Sequence, residues 1–468
     1  MKETQKMEIS TTPTFRYKTI DSIQGTLIFL KSISDVAYEE IVRIYMPDGQ
    51  VRIGQVLQAD ENATIVQVFE GTDSMERINT EVEFTKDVFR VGVTEQMIGR
   101  TMNGLGQPID DLGPLIVEKR LPITGAPMNP VRRASPSDFI ETGISVIDGL
   151  NSLVQGQKLP IFTLSGMPTS EVAANIAVNS KVLAEEQELD VIFVAMGITE
   201  REGRFFRIKF SESSGANIAF FSNYTMDSIV ERILTPRVAL TFAEYLAYEK
   251  DRNVLIILHD MLNYSEALRE ISSAREEFPG RRGYPGYLYT DLATIYERAG
   301  KVQGKIGSVT MIPVVTMAND DITHPVPDLT GYITEGQLLM SRSHYNRQIF
   351  PPMNPVPSLS RLMHEGIGVG KTREDHANLA NQLFACYARG IKLRQLASIA
   401  GEDSLSARDR LYLTFADEFE QKFIHQGDYR RTFEETLTIG WQVLTKIPKT
   451  DLNRISKKWI DKYYPKED

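Results

Sequence analysis

Residues 158–179 read KLPIFTLSGMPTSEVAANIAVN. An apolar run comes first, then a turn carrying Gly166 and Pro168, then a stretch with apolar residues at helical spacing. This is a strand–turn–helix unit. The same alternation continues downstream in VIFVAMG (191–197), NIAFFSN (217–223), NVLIILHD (253–260) and SVTMIPVVTM (308–317). Helical stretches are expected between them, as in EVAANIAVNSKVLAEEQ (171–187) and PRVALTFAEYLAYEK (236–250). Nearly continuous apolar strands alternating with helices predict a mostly parallel sheet covered on both faces. Ligands of such sheets sit at the carboxyl ends of the strands.

The flanks differ in kind. The first hundred residues read as β: TIVQVF (64–69) is rich in β-branched residues, and IVRIYMPDGQVRIGQVL (41–57) alternates on both sides of a turn at Pro47-Asp48-Gly49. A small barrel or sandwich is expected over 17–93, after a polar tail at 1–16. A connector rich in Gly and Pro then opens the α/β region of 94–371. From 372 to the end only helical spacing remains, as in DHANLANQLFACYARGIKLRQLA and FEETLTIGWQVLTKI. Three domains suit a chain of 468 residues.

Composition excludes several classes. Charged residues make up 24%, and no apolar run approaches the roughly 20 residues needed to cross a bilayer. The first residues lack the apolar core of a signal peptide, so a cytoplasmic location is expected. The net charge of −10 argues against nucleic acid as a partner. The single cysteine, Cys386, excludes an internal disulfide and reads as a buried helix residue. The six histidines show no metal-ligand spacing.

Four longer stretches carry a resemblance: MIGRTMNGLGQPID, FIETGISVIDGLNSLVQGQKLPIF, SEALREISSAREEFPGRRGYPGYLYTDLATIYERAG and PVPDLTGYITEGQ. Together they resemble the head subunits of rotary ATPases, and the last two resemble the B-type head subunits of the V-type and archaeal-type enzymes. The likeness runs from about residue 17 to the C-terminus. It implies an N-terminal β-barrel, a central P-loop-type α/β domain and a C-terminal helical bundle. It also implies a non-catalytic subunit alternating with a catalytic A-type subunit in a hexameric ring. That ring surrounds central rotor stalk subunits. Peripheral stalk subunits anchor it at the cytoplasmic face of a membrane that holds an ion-translocating sector. ATP or ADP with Mg would bind at the interface with the catalytic subunit, and this chain would have no cofactor of its own. Whether the pumped ion is H⁺ or Na⁺ leaves no mark in the sequence.

The loop after KLPIF stands where a P-loop would read GxxxxGK[ST], whose backbone N–H groups and lysine hold phosphates. Here it reads Thr163-Leu164-Ser165-Gly166-Met167-Pro168-Thr169-Ser170. Thr163 and Pro168 replace the two glycines, and Thr169 replaces the lysine. Proline has no N–H for an anion, and Thr169 removes the main cation. Only Ser170, at the magnesium-binding hydroxyl, keeps its chemistry. A second Gly-Lys-Thr at 370–372 has Glu365 where the first glycine belongs and no apolar strand before it, so it reads as a link into the helical domain.

Asp260 ends NVLIILHD as a Walker B aspartate would. With the loop lysine gone, a capping or salt-bridging job is favoured for it. Glu202 falls near the position where catalytic subunits of the family carry the water-activating glutamate. In this loop context a salt bridge within 200–204 is expected instead. PVPSLSRLM carries Arg361, with Ser360 before it, and matches the SxSR element that holds the family's arginine finger. A guanidinium is always charged, and its forked donors fit phosphate oxygens. The segment at 273–291 interleaves Arg281 and Arg282 with Tyr284, Tyr287 and Tyr289. It reads either as a stacking surface for nucleic acid or, by the resemblance, as a loop facing the rotor shaft. The rival functions are an active P-loop NTPase, such as a secretion ATPase or an RNA translocase, and a pure scaffold.

Overall fold

The apolar runs assemble into one ten-stranded sheet, seen in a computed structural model that describes residues 16–31, 33, 35–59, 63–125, 128–183, 188–213 and 217–465. Its main path runs Met353–Ser360, Gly336–Met340, Ile161–Leu164, Ser308–Met317, Asn253–His259, Leu189–Ile198, Asn217–Tyr224 and Thr101–Asn103. Every neighbouring pair on this path is parallel except the first, where the edge strand Met353–Ser360 runs antiparallel to Gly336–Met340. Alternate residues of the strands feed two separate cores. Val191, Phe193 and Ala195 face one, and Ile192, Val194 and Met196 face the other. Burial on both faces explains why these strands read as continuous apolar runs.

The helix Thr169–Asn179 follows the loop as expected but stops eight residues short of the anticipated end at 187. Lys181–Val182 instead pairs antiparallel with Phe139–Glu141, a contact made possible by chain far away in sequence, and residues 184–187 lie outside the described set. The glycine-rich connector adds a strand of its own, Thr101–Asn103, to the sheet edge. Met102 is fully buried there, and the Asn103 side chain accepts from the N–H groups of Leu105 and Gln107 to close the turn.

At the N-terminus seven antiparallel strands between Arg16 and Phe84 form the β-barrel domain. The Pro47-Asp48-Gly49 turn joins Ile41–Tyr45 to Val51–Ala59, with Gly49 at φ +85° and the Asp48 carboxylate accepting from Gln50 N–H. Arg90–Val93, expected to end the barrel, pairs with Lys119–Pro122 of the connector instead. Of the expected polar tail, residues 1–15 lie outside the described set, and Arg16 opens the first strand.

The C-terminal domain is helical, led by the 25-residue helix His376–Ala400. Its apolar face, with Leu379, Leu383, Tyr387, Phe415, Phe419 and Trp441, belongs to the same core as one face of the central sheet. Cys386 is buried there, and burial pushes its thiol up to about 11. No helix among the described residues is long and apolar enough to cross a membrane.

Two polar contacts lock the helical domain to the centre. Glu420, wholly buried, faces Arg347 and His344 from the central domain and Arg394 and Tyr387 from the helical one. Burial alone would raise its carboxyl, but the bonds from His344, Arg394 and Arg347 outweigh it and hold the group well below the usual range. His376 is also buried, with Nε2 3.2 Å from the Gly149 carbonyl, and burial pushes its imidazole down to about 4. An unfolded histidine takes up its proton near pH 6.5, so between about 6.5 and 4 the unfolded chain binds a proton that the folded chain refuses. Stability from this group is therefore complete above about pH 6.5 and falls by up to about 3 kcal/mol as the pH drops to about 4. Melting curves across that window are expected to show a smaller acid-side loss for His376→Gln than for the unaltered protein.

Candidate functional site

Two regions at opposite ends of the central sheet carry the candidate residues. The first is the loop at 163–170, at the carboxyl end of its strand. The hydroxyls of Thr163 and Thr169 lie 2.6 Å apart, bridging the strand end to the helix start. Pro168 stands at the N-cap with no side-chain cap bond. The Met167 N–H donates to Leu164 and the Thr169 N–H to Met167, so these donors close the turn rather than face an anion. Gly166 keeps a left-handed φ of +76° with open space beside it. Arg342 reaches the loop by donating to the Ser165 carbonyl at 3.2 Å, but its guanidinium is already paired with Asp320 at 2.9 Å.

Behind the loop, the Ser170 hydroxyl lies 3.4 Å from His259 Nε2 and 3.5 Å from a Glu202 oxygen. Burial pushes the His259 imidazole below its ordinary value, against the pull of Asp260, Glu202 and Glu171. Glu202 forms no salt bridge within 200–204 among the described residues. It completes a capping box instead, with its carboxylate accepting from both the N–H and the hydroxyl of Thr199 at 2.9 Å. The T-x-x-E spacing was the available signal for this. Asp260 caps the helix Met261–Ala274 by accepting from Leu262 N–H at 2.8 Å, and it also binds Thr316 through N–H and hydroxyl. These donors take up both oxygens of its carboxylate.

The second region surrounds Arg361, just past the end of the edge strand. Side chains alternate along that strand. Ser358 and Ser360 turn inward, whereas Leu359 and Arg361 are exposed. Ser360, expected beside Arg361 at the nucleotide, has a buried hydroxyl that donates to the Ser152 carbonyl and accepts from Gln157 Nε2, both at 2.9 Å. Arg361 donates its N–H to the Glu335 carbonyl at 3.0 Å and leans a guanidinium N–H toward the Thr334 carbonyl at 3.5 Å. Among the described residues no carboxylate lies within ion-pair range of it.

Register fixes how far apart the two regions are. Ile161 pairs with Leu338 and Phe162 with Leu339, while Ser360 pairs with Gly336. The loop beyond Leu164 therefore begins about five residues, or roughly 17 Å, from the end where Arg361 emerges. The chain's own loop and its exposed arginine do not form one site.

Other sequence candidates are accounted for locally. Arg281 pairs with Asp328 at 3.0 Å and Arg282 with Asp321 at 2.6 Å, while Tyr284 is buried against Glu266. The basic character of that segment is thus neutralised within the chain. Lys371 binds the Glu365 carbonyl and Thr372 closes a turn on Gly368 N–H, so the second Gly-Lys-Thr is a folded link. The sequence reading missed Lys158 and Glu335, which stand beneath Arg361. The available signal was a lysine at the head of an apolar strand.

Comparisons with known proteins cover the whole architecture. Residues 143–360 match the nucleotide-binding domain of the ATP synthase alpha/beta family, residues 20–86 its beta-barrel domain, and residues 365–464 the C-terminal domain of V and A type ATP synthase. The chain is 54% identical over 453 residues to the B subunit of the A-type ATP synthase of Aeropyrum pernix, covering 96% of this chain and 98% of that protein. It is also similar to the solved structure of NeqB, an ATP synthase component of Nanoarcheaum equitans. That likeness has a TM-score of 0.72 at 38% identity, over 87% of this chain and 98% of the other.

With no lysine at 169 and the Met167 and Thr169 N–H groups engaged within the turn, the isolated chain is expected to bind MgATP at this loop more weakly than about 1 mM. Titration calorimetry checks this, and a saturable heat in the micromolar range that disappears with Ser170→Ala would contradict it.

Proposed function

The chain belongs to the ATP synthase alpha/beta family, and from that premise we propose that it is the non-catalytic B subunit of a V/A-type complex, donating Arg361 to a neighbour's ATP site. The observation that carries the reading is the position of Arg361. It is exposed, lacks a carboxylate partner among the described residues, and lies at the sheet end opposite the chain's own loop. Among the described residues its guanidinium has only the long contact to the Thr334 carbonyl at 3.5 Å, which leaves its other donors available to a neighbour.

In this reading ATP with Mg binds mainly to the P-loop of a catalytic A-type subunit that alternates with this chain in a ring. Arg361 approaches the γ-phosphate from across the interface. Its forked donors stabilise charge that develops on the transferring phosphoryl oxygens, so its effect falls on the chemical step more than on binding. Ser360 serves indirectly, because its inward hydrogen bonds fix the strand end from which Arg361 projects. Site closure is coupled to a central rotor, with peripheral stalks and a membrane sector that moves H⁺ or Na⁺. The ring sits at the cytoplasmic face of the membrane. Support against the active-NTPase reading comes from Pro168 and Thr169 and from the capping roles of Glu202 and Asp260.

Arg361→Ala in the assembled complex is expected to lower MgATP turnover by on the order of 10³ while leaving assembly intact. Arg361→Lys is expected to recover little of it, since an ammonium cannot reproduce the fork. Steady-state kinetics on purified rings checks both. Unchanged turnover in Arg361→Ala would reduce this chain to a scaffold.

A further inference from the structure

Beneath Arg361 lies a closed set of charges that the proposed chemistry does not use. Lys158 is almost fully buried, at 2% exposure. Its ammonium sits 2.7 Å from Glu335 Oε1 and 3.3 Å from Glu297 Oε1, and its backbone N–H donates to Glu335 Oε2 at 2.7 Å. One residue thus engages both oxygens of the Glu335 carboxylate. Glu297 is also paired with Arg133 at 3.0 Å. Two cations face two carboxylates, and Arg361 is the cation left over.

Glu335 is also the residue on which Arg361 rests, through the backbone bond to its carbonyl, and Gln157 donates to that carbonyl at 3.3 Å. Glu335 therefore stands opposite Arg361 where the two strands meet, and its carboxylate, on a side chain 29% exposed, is a candidate to neutralise the guanidinium. An exposed Arg–Glu pair is worth little, but that is still enough to bias where a long guanidinium side chain rests. A buried ammonium is a costly way to fill space, and an apolar side chain of similar volume does so at least as well. A role in holding charge explains the lysine better than a role in packing.

We propose that Lys158 is a positioning residue: it captures the Glu335 carboxylate and so keeps the Arg361 guanidinium free to reach across the subunit interface. This rests on the reading of Arg361 as a donor to a neighbouring site. Removing Lys158 releases the carboxylate, which draws the guanidinium back against its own chain. Removing the carboxylate as well leaves nothing to retract it.

The test measures kcat and KM for MgATP in assembled complexes carrying Lys158→Met, Glu335→Gln, the double variant and Arg361→Ala. Lys158→Met is expected to lower kcat roughly five- to tenfold with little change in KM, because an ion pair must break before Arg361 can act. Glu335→Gln alone is expected to stay within about twofold of the unaltered complex, and the double variant to recover to that level. If Lys158→Met does not assemble, the same ordering is expected of Lys158→Ala, which offers neither carboxylate a side-chain donor. A double variant no better than Lys158→Met would overturn the proposal, and so would a loss that falls on assembly or KM rather than on kcat. So would full activity in Lys158→Met. Arg361→Ala separates the two levels: if it retains turnover, the donor reading itself fails, whatever Lys158 does.

Discussion

The antiparallel pairing of Met353–Ser360 with Gly336–Met340 decides what the rest of this molecule can do. Every other neighbour on the main path of the central sheet is parallel, so all the other strand ends deliver their loops to one edge. On that path the edge strand alone brings its C-terminal residue to the opposite edge. The pairing is so close that a Cβ on Gly336 would collide with the Leu359 carbonyl oxygen, and Gly336 has φ +152°. Glycine is required there on both counts. Once that strand is fixed, alternation leaves no choice: two serines face in, and Arg361 faces out. A parallel edge strand would have brought the arginine to the chain's own loop, where it would read as part of one active site.

The altered loop shows how groups that serve phosphate binding can be replaced while architecture is retained. The first turn of a helix has N–H groups without intrahelical partners, so a proline at its boundary removes a donor the helix does not use. That same donor is one a phosphate would need. Thr163 and Thr169 bond to each other where a glycine and a lysine would leave room for an anion. Val172, Ala173, Ile176 and Ala177 still seat the helix in the core. The fold depends on that apolar face, and nucleotide binding depends on the loop, so the two can diverge.

Much of this was legible in the sequence because it is encoded locally. Apolar strands with both faces buried announce a parallel sheet, and the helical spacing after 372 matches His376–Ala400 and Phe433–Leu444 closely. The hairpin at Pro47-Asp48-Gly49 is a matter of adjacent residues. What escaped depends on distant chain. The helix from Thr169 ends at Asn179 because Lys181–Val182 finds a strand near residue 140. Thr101–Asn103 looked like connector because three residues carry no period, and only the neighbouring strand makes them part of a sheet. Arg361 was visible as a motif, but its freedom was not. On the proposal made for Lys158, that freedom depends on a contact with Glu335, a residue far away in sequence that it meets where two parallel strands begin.

The setting of the edge strand also bears on how a charge can be delivered over a distance. In the role proposed for Arg361, a guanidinium reaching another subunit's phosphate is effective only if its base is rigid, because small misplacements weaken transition-state stabilisation steeply. The segment between the two antiparallel strands contains His344 and Arg347, and both face the buried carboxylate of Glu420 in the helical domain. Arg394 and Tyr387 converge on the same carboxylate from the long helix. Glu420 lies in a π-helical stretch, Phe419–Ile424, whose wider turn interrupts the regular helix at that point. The connection leading into the edge strand is therefore tied to the helical domain by a buried ionic junction, while the other end of the strand rests on Gln157, Glu335 and Ser152. The edge strand is thus held at both ends, by the helical domain at one and by the central domain at the other.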